Sequence, residues 1–313
     1  MIDHEPDTAG ADHNSVGASS VGVAAPALLQ RTLRASRAGL PLLPFFVYVF
    51  LGLGIPTLAV INEAFRSANG KLTTSNIKTV LSGGQYLLGF ETSLKLAAIT
   101  AVVPAVLGTI LAYVIATSRF ATLRRFVTTA AGVFANFGGV NLAFIFIASV
   151  GVRQIVTGFL ARLGWNPWDH GFDLYKFWGV VLVYFYFQVP LMVLIITPAI
   201  GGLKLAWREA ASNLGASAWQ FWRRIGLPVL MPSILGSTLL LFGSGLSAYA
   251  TAEALTGGTI ALTPIQIGAF LDGNVISNQV NVGYALGFVM IVMMLVSIVG
   301  YFFLQRRASR WLR

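Results

Sequence analysis

Cysteine is missing from this chain altogether, which rules out disulfides, thiolate metal ligands and a cysteine nucleophile. Charge is scarce as well: only 10% of the 313 residues are Asp, Glu, Lys or Arg, against about 25% in soluble globular domains. Histidine occurs three times, and His4 and His13 share one polar N-terminal stretch, so His170 stands alone. Neither a His-Glu-x-x-His pattern nor a paired His/Asp spacing offers a metal site, and a lone His170 reads as solvated. A phosphate-binding loop is lacking too, since Gly70-Lys71 is followed by Leu72 and the flanking pattern fails. No nucleophile–base constellation marks an enzyme. The chain therefore binds no cofactor of its own, and any ATP chemistry belongs elsewhere. Acidic residues are few beside basic ones, 11 against 21, for a net charge of +10. A basic groove or RNA-binding signature is absent, so this surplus does not point to nucleic acid.

Apolar residues fill the space these absences leave. They make up 56% of the chain, and the mean hydropathy is +0.75. Runs of about 20 apolar residues suffice to cross roughly 30 Å of hydrocarbon as helices. The pattern predicts an all-α polytopic membrane protein with six spans: 41–62, 90–117, 126–150, 177–200, 231–255 and 282–304. Residues 1–26 are acidic, small and polar, unlike a signal peptide, and are expected to form a disordered cytoplasmic tail. Residues 27–40 place Leu28, Leu29 and Leu33 against Arg31, Arg34 and Arg37, which reads as an amphipathic interfacial segment or a basic flank of the first span. Residues 41–304 form the permeation domain in this reading, and 305–313 a basic tail.

Lys and Arg set the orientation. One side of the six spans collects Arg31, Arg34, Arg37, Arg119, Arg124, Arg125, Lys204, Arg208, Arg223, Arg224, Arg306, Arg307, Arg310 and Arg313. The other holds Arg66, Lys71, Lys78, Arg153, Arg162 and Lys176. The richer side is cytoplasmic by the positive-inside rule, which puts both termini and the loop 205–228 inside. Across the membrane, Thr263-Pro264 and Asp272-Gly273 mark turns around a short helix from Ile265 to Leu271. Trp165 and Trp168 read there as interfacial anchors.

The loop between the fourth and fifth spans is the most informative stretch. Leu205 to Leu214 is rich in helix formers, and Gly215 sits where a left-handed C-terminal cap is needed. Ser217 then caps a second short helix over 218–224, which Gly226 and Pro228 end. The expected shape is a helix-turn-helix lying parallel to the membrane. Ala210, Ala211 and Ala216 allow close approach, while Trp219, Phe221 and Trp222 offer apolar area beside arginines, as an interface core does. An amphipathic helix resting on lipid is the competing reading.

Glu209-Ala210-Ala211, then Gly215, Ile225 and Leu227-Pro228 at their spacing, resemble the EAA loop of permease subunits in type I ATP-binding-cassette importers. The resemblance runs from Ser93 to the C-terminus. Thr92-Ser93-Leu94, Ser247 to Thr251, Gly257-Gly258 and Thr263-Pro264 make it most similar to the spermidine/putrescine-type permeases, a subgroup that also resembles carriers of iron, sulfate and phosphonates. What the resemblance implies is a bacterial inner-membrane subunit whose loop docks one of two ATPase subunits carrying ATP and magnesium. It also implies a second permease, a paralogue in preference to a second copy, and an extracytoplasmic solute-binding protein. The alternative is a secondary transporter or channel independent of an ATPase, expected to show broken helices or inverted repeats.

Carboxylates in or near spans are costly and mark pathways. Glu253 and Glu91 are the acidic candidates, with pairing to Lys95 one helical turn away as the other reading of Glu91. Asn136, Asn141 and Gln188 are the polar candidates. One member of the aromatic run Tyr184 to Phe187 is expected to face the pathway.

Overall fold

The computed structural model describes residues 42–272 and 279–309, with nothing said of the side chains from 307 on. The tail at 1–26, the segment 27–40, Pro41, Gly273 and the last four residues lie outside that range. The chain divides into two units, 1–57 and 58–313. Helix α1 (Leu43–Ala64) starts in the first and carries a π-turn at Phe50–Gly54. The described residues contain no β-strand, only an isolated bridge between Arg66 and Leu72.

In the second unit the helices are α2 (Ser75–Ser82), α3 (Gly84–Thr117), α4 (Ala121–Asn136), α5 (Val140–Val150) and α6 (Ile155–Arg162). They continue with α7 (Phe177–Gly201), α8 (Leu205–Asn213), α9 (Ala218–Ser247), α10 (Ala250–Thr256), α11 (Thr263–Leu271) and α12 (Val280–Ser309). Six stretches among the described residues are long and apolar enough to cross a membrane, the third of them spanning Val140–Arg162.

The centre of the bundle is α7, apolar on nearly every side, as a helix surrounded by other helices must be. Val180, Val183, Tyr184, Met192 and Ile196 are fully enclosed. Helix α3 reaches it with a stripe of small residues, Ala97, Ala101, Ala105, Gly108 and Ala112, all buried. Their spacing of three and four puts them on one face, and their size lets two backbones come close. Helices α4 and α9 complete the packing around α7, while α12 packs on α9, α11 and α2. Ser93 on α3 accepts from the backbone N–H of Thr263 at 2.9 Å, so its side chain caps α11 from a different helix. The short helix expected at 265–271 is present as α11.

Two expected spans are not single helices. The third, predicted over 126–150, divides into α4 and α5 at Phe137–Gly139. Gly139 takes φ 74° and ψ −153°, a conformation open to glycine alone. The fifth, predicted over 231–255, divides at Ala248 and Tyr249, with Ala248 extended at φ −72° and ψ 96°. No glycine or proline stands at this second break. It is held by tertiary contact, through the Tyr184 hydroxyl donating to the Ala248 carbonyl. Beyond the breaks, α5 and α10 pack on each other, and Thr251 donates to the Gly139 carbonyl at 3.2 Å. Backbone freed inside an apolar bundle has to be satisfied by neighbours, and here each break supplies part of the other's answer.

A further difference concerns the start of α9. Gly226 and Pro228 were expected to end a short helix. Instead the chain passes through a π-turn, Trp222–Gly226, directly into the fifth span. Pro228 follows directly on the π-turn, and its missing N–H leaves the helical bonding interrupted there, as a π-turn tolerates. The second arm of the loop is thus one rod with the span it precedes.

Candidate functional site

The loop 205–228 folds as a capped elbow. At the end of α8, the N–H of Ala216 bonds to the Ala211 carbonyl and that of Gly215 to the Ser212 carbonyl, both at 2.9 Å. Gly215 has φ 75°. This 6→1 and 5→2 pair is the Schellman motif, which needs a residue at ease in the left-handed region. Two residues on, Ser217 Oγ accepts from Gln220 N at 3.2 Å, and the Gln220 side chain accepts from Ser217 N at 2.8 Å. This reciprocal capping box fixes where α9 begins.

The two arms enclose a groove of about 710 Å³, lined by Ala210, Ala211, Gly215, Phe221 and Ile225 among others. Four of the residues singled out in the sequence, Ala210, Ala211, Gly215 and Ile225, therefore meet on one concave surface. Leu227 and Pro228 lie further along α9, outside the groove lining. Glu209 is exposed and has no cation within ion-pair distance among the described residues.

The three loop aromatics do different things. Phe221 is buried, and Trp222 packs edge-to-face on Tyr113 of α3 with ring centroids 4.6 Å apart. Both brace the elbow against the bundle and are not offered outward, which corrects the expectation that all three present apolar area. Trp219 alone stays 72% exposed, joined by Leu214 at 88%. Leu214 was not singled out in the sequence, because a leucine inside a helical run carries no signal of its final exposure.

The second feature is a cavity of about 560 Å³ at the two helix breaks. Its polar lining comes from Asn136 at the end of α4, Ser244 and Ser247 at the end of α9, and Tyr249 and Thr251 beyond it. Phe187 on α7 supplies an apolar wall. Asn136 donates to the Gly132 carbonyl at 2.9 Å and Ser247 to the Gly243 carbonyl at 2.8 Å. With Thr251 bonded to Gly139, the two hydroxyl hydrogens and one of the two Asn136 amide hydrogens are engaged by backbone, while the side-chain oxygens remain as acceptors. No charged side chain lines the cavity.

Of the four pathway candidates, the cavity contains only Asn136. Asn141 is exposed on α5 and outside the lining. Gln188 is fully buried behind the cavity wall, and Glu253 lies on α10 with one carboxylate oxygen, Oε2, enclosed and without a hydrogen-bond partner among the described residues. Within the aromatic run, Phe187 faces the cavity, whereas Tyr184 serves the break and Tyr186 packs on Phe134 and Phe146. Glu91 is paired with Lys95 on the surface of α3. Trp168 is no free anchor either: its indole N–H donates to the Val150 carbonyl at 3.1 Å, while Trp165 stays half exposed. The described residues hold no group of three or more His, Cys, Asp or Glu able to grip a metal.

Known proteins share this architecture. A chain in the crystal structure of a bacterial ABC transporter involved in the import of the acidic polysaccharide alginate superposes with a TM-score of 0.70. The superposition covers 90% of this chain and 99% of that one, at 18% identity, which is a likeness of fold. In sequence, the spermidine/putrescine transport system permease protein PotC of Escherichia coli (strain K12) is 28% identical over 123 residues. Those residues are 39% of this chain and 45% of PotC, so the match spans less than half of that relative. The sulfate transport system permease protein CysT of the same strain is 22% identical over 217 residues, 67% of this chain and 72% of CysT. The profile of one family, binding-protein-dependent transport system inner membrane component, matches residues 105–313, which include both the elbow and the cavity. By that match the chain belongs to the family of binding-protein-dependent transport system inner membrane components, the permeases of ABC importers.

Proposed function

We propose that this chain is the permease subunit of an ATP-driven importer, and that the elbow at 205–228 is where a separate ATPase subunit drives it. The observation that carries the proposal is the exposure of Leu214 and Trp219 on a rigidly capped turn. Large apolar side chains displayed beside a concave groove fit a protein partner's hot spot. The same α9 that begins at the elbow ends at the cavity, so a pull on one is felt at the other. In this reading the elbow and both termini are cytoplasmic. ATP and magnesium sit on two ATPase subunits, a second permease completes the pathway, and an extracytoplasmic binding protein delivers the solute. A transporter working without an ATPase would leave these two exposed side chains to rest on lipid, with no use for the groove beside them. The broken spans do not separate the two readings, because they serve alternating access in either.

The test is to replace Leu214 and Trp219 together by alanine in cells expressing the whole system. Expected is loss of ATPase co-purification and of solute uptake, with the permease still inserted and folded. Retained uptake would sink the reading.

For the solute, we propose a polyamine of the spermidine/putrescine type. Support comes from the relative named above and from the acceptor oxygens of Asn136, Ser247 and Thr251, which suit N–H donors. Glu253, with an enclosed carboxylate oxygen on α10, would attract a cation. A second reading, an oxyanion such as sulfate, is favoured by the absence of any carboxylate from the cavity lining. Uptake of labelled spermidine, putrescine and sulfate by the same cells decides between them.

A further inference from the structure

Gln188 lies in the middle of α7 with no exposed surface, and neither its amide nitrogen nor its amide oxygen has a hydrogen-bond partner among the described residues. Buried side-chain amides are nearly always paired, and one that is not calls for an explanation. The surroundings sharpen the point. A Cβ placed on Gly245 of α9 would lie 3.2 Å from Gln188 Nε2, 2.7 Å from Thr100 Oγ1 and 3.3 Å from the Cα of Ala97. Helices α3, α7 and α9 therefore converge on the amide. Thr100 already donates to the Leu96 carbonyl at 2.7 Å, so its hydrogen is engaged elsewhere. An apolar side chain of the same volume would fill this position with no polar group to desolvate.

The location also matters. Phe187 and Ser244 line the cavity, and Gln188 and Gly245 are their immediate neighbours in sequence. The amide thus sits one layer behind the cavity wall, beside the last turn of α9. That turn stops at the Ala248 break, where no further helical turn uses its carbonyls. Those carbonyls are the nearest acceptors without a helical partner on the element that packs against the amide at Gly245.

We propose that Gln188 is a positioning residue of the transport cycle, unpaired in the conformation described here and hydrogen-bonded to the end of α9 in the alternate one. This rests on the permease reading, since only an alternating protein has a second conformation in which to pair it. Leaving a buried amide unpaired in one state alone biases the equilibrium toward the other by roughly ten- to a hundred-fold.

The experiment uses the complete transporter in cells and exploits the absence of cysteine. Ala250→Cys, at an exposed residue that also lines the cavity, places this chain's only thiol there, and its reaction with a membrane-impermeant methanethiosulfonate reports the conformational balance. In that background Gln188→Met, which keeps volume and removes the amide, is expected to shift the labelling rate by roughly ten-fold and lower solute uptake in parallel. The melting temperature in detergent should not fall, and ATPase subunits should still co-purify. Gln188→Asn, which keeps an amide, should restore part of both. Labelling and uptake equal to the Gln188 parent would overturn the proposal. So would a lowered melting temperature in both variants, which would mark Gln188 as packing only. Failure of the permease reading would show differently, as uptake that never depends on an ATPase in the parent itself.

Discussion

The phenolic hydroxyl of Tyr184 on α7 donates to the carbonyl oxygen of Ala248 at 2.6 Å, across 64 residues of sequence. It satisfies the backbone group that the break between α9 and α10 sets free. Tyr184→Phe keeps the ring and removes the donor, leaving a partly buried carbonyl at the cavity edge without it. A loss of about 0.5–1.5 kcal/mol is expected. Thermal unfolding of the purified protein should show a lower melting temperature, and uptake should fall as the cavity edge loosens.

Gly215 provides the second prediction. Its φ of 75° is open to glycine, and among other residues best to asparagine. Gly215→Val should strain the elbow by about 1–2 kcal/mol or more and abolish ATPase co-purification. Gly215→Asn should retain most of it. Equal behaviour of the two variants would contradict the account of the turn.

Trp219 and Trp222 are three residues apart and should respond differently. Trp219→Ala removes an exposed ring, so it should leave the melting temperature unchanged and weaken ATPase association at least ten-fold, as loss of an interface anchor does. Trp222→Ala removes the partner of Tyr113, so it should lower the melting temperature itself. Thermal unfolding and co-purification, run side by side, check both.

Asn136 is the residue through which the solute reading can be turned. Asn136→Asp adds a carboxylate to a cavity that has none. Uptake of spermidine should rise or persist and uptake of sulfate should fall, because a like charge on the cavity wall repels an anion. The reverse ordering, measured with labelled solutes, would favour the oxyanion reading.

Much of this was legible in the sequence, and the failures have physical reasons. Six apolar spans, the Gly215 cap and the Ser217 cap follow from hydropathy and from local backbone chemistry, both of which act over a few residues. The third-span break was half legible: Gly138-Gly139 is visible in the sequence, but paired glycines permit close helix packing as readily as a break. The Ala248 break was not legible, because its cause is Tyr184, a residue remote in sequence. The same distance hid the cavity. Ser244, Ser247, Tyr249 and Thr251 become its lining only once α9 and α10 part, and acidic Glu253 drew notice by its charge while lying outside it. Gly226 and Pro228 misled for a local reason, since a π-turn carries the helix through them.

That π-turn has a mechanical consequence. Because it carries the helix onward, Ala218 to Ser247 form 30 residues of continuous helix about 45 Å long, with Pro232 inside it. Tilting such a helix by about 5° sweeps its far end through roughly 4 Å, about the width of one side chain. In the proposed reading a modest stroke at Trp219 is carried to the walls at Ser247 along this helix, and the π-turn with Pro228 and Pro232 marks the points at which it can bend.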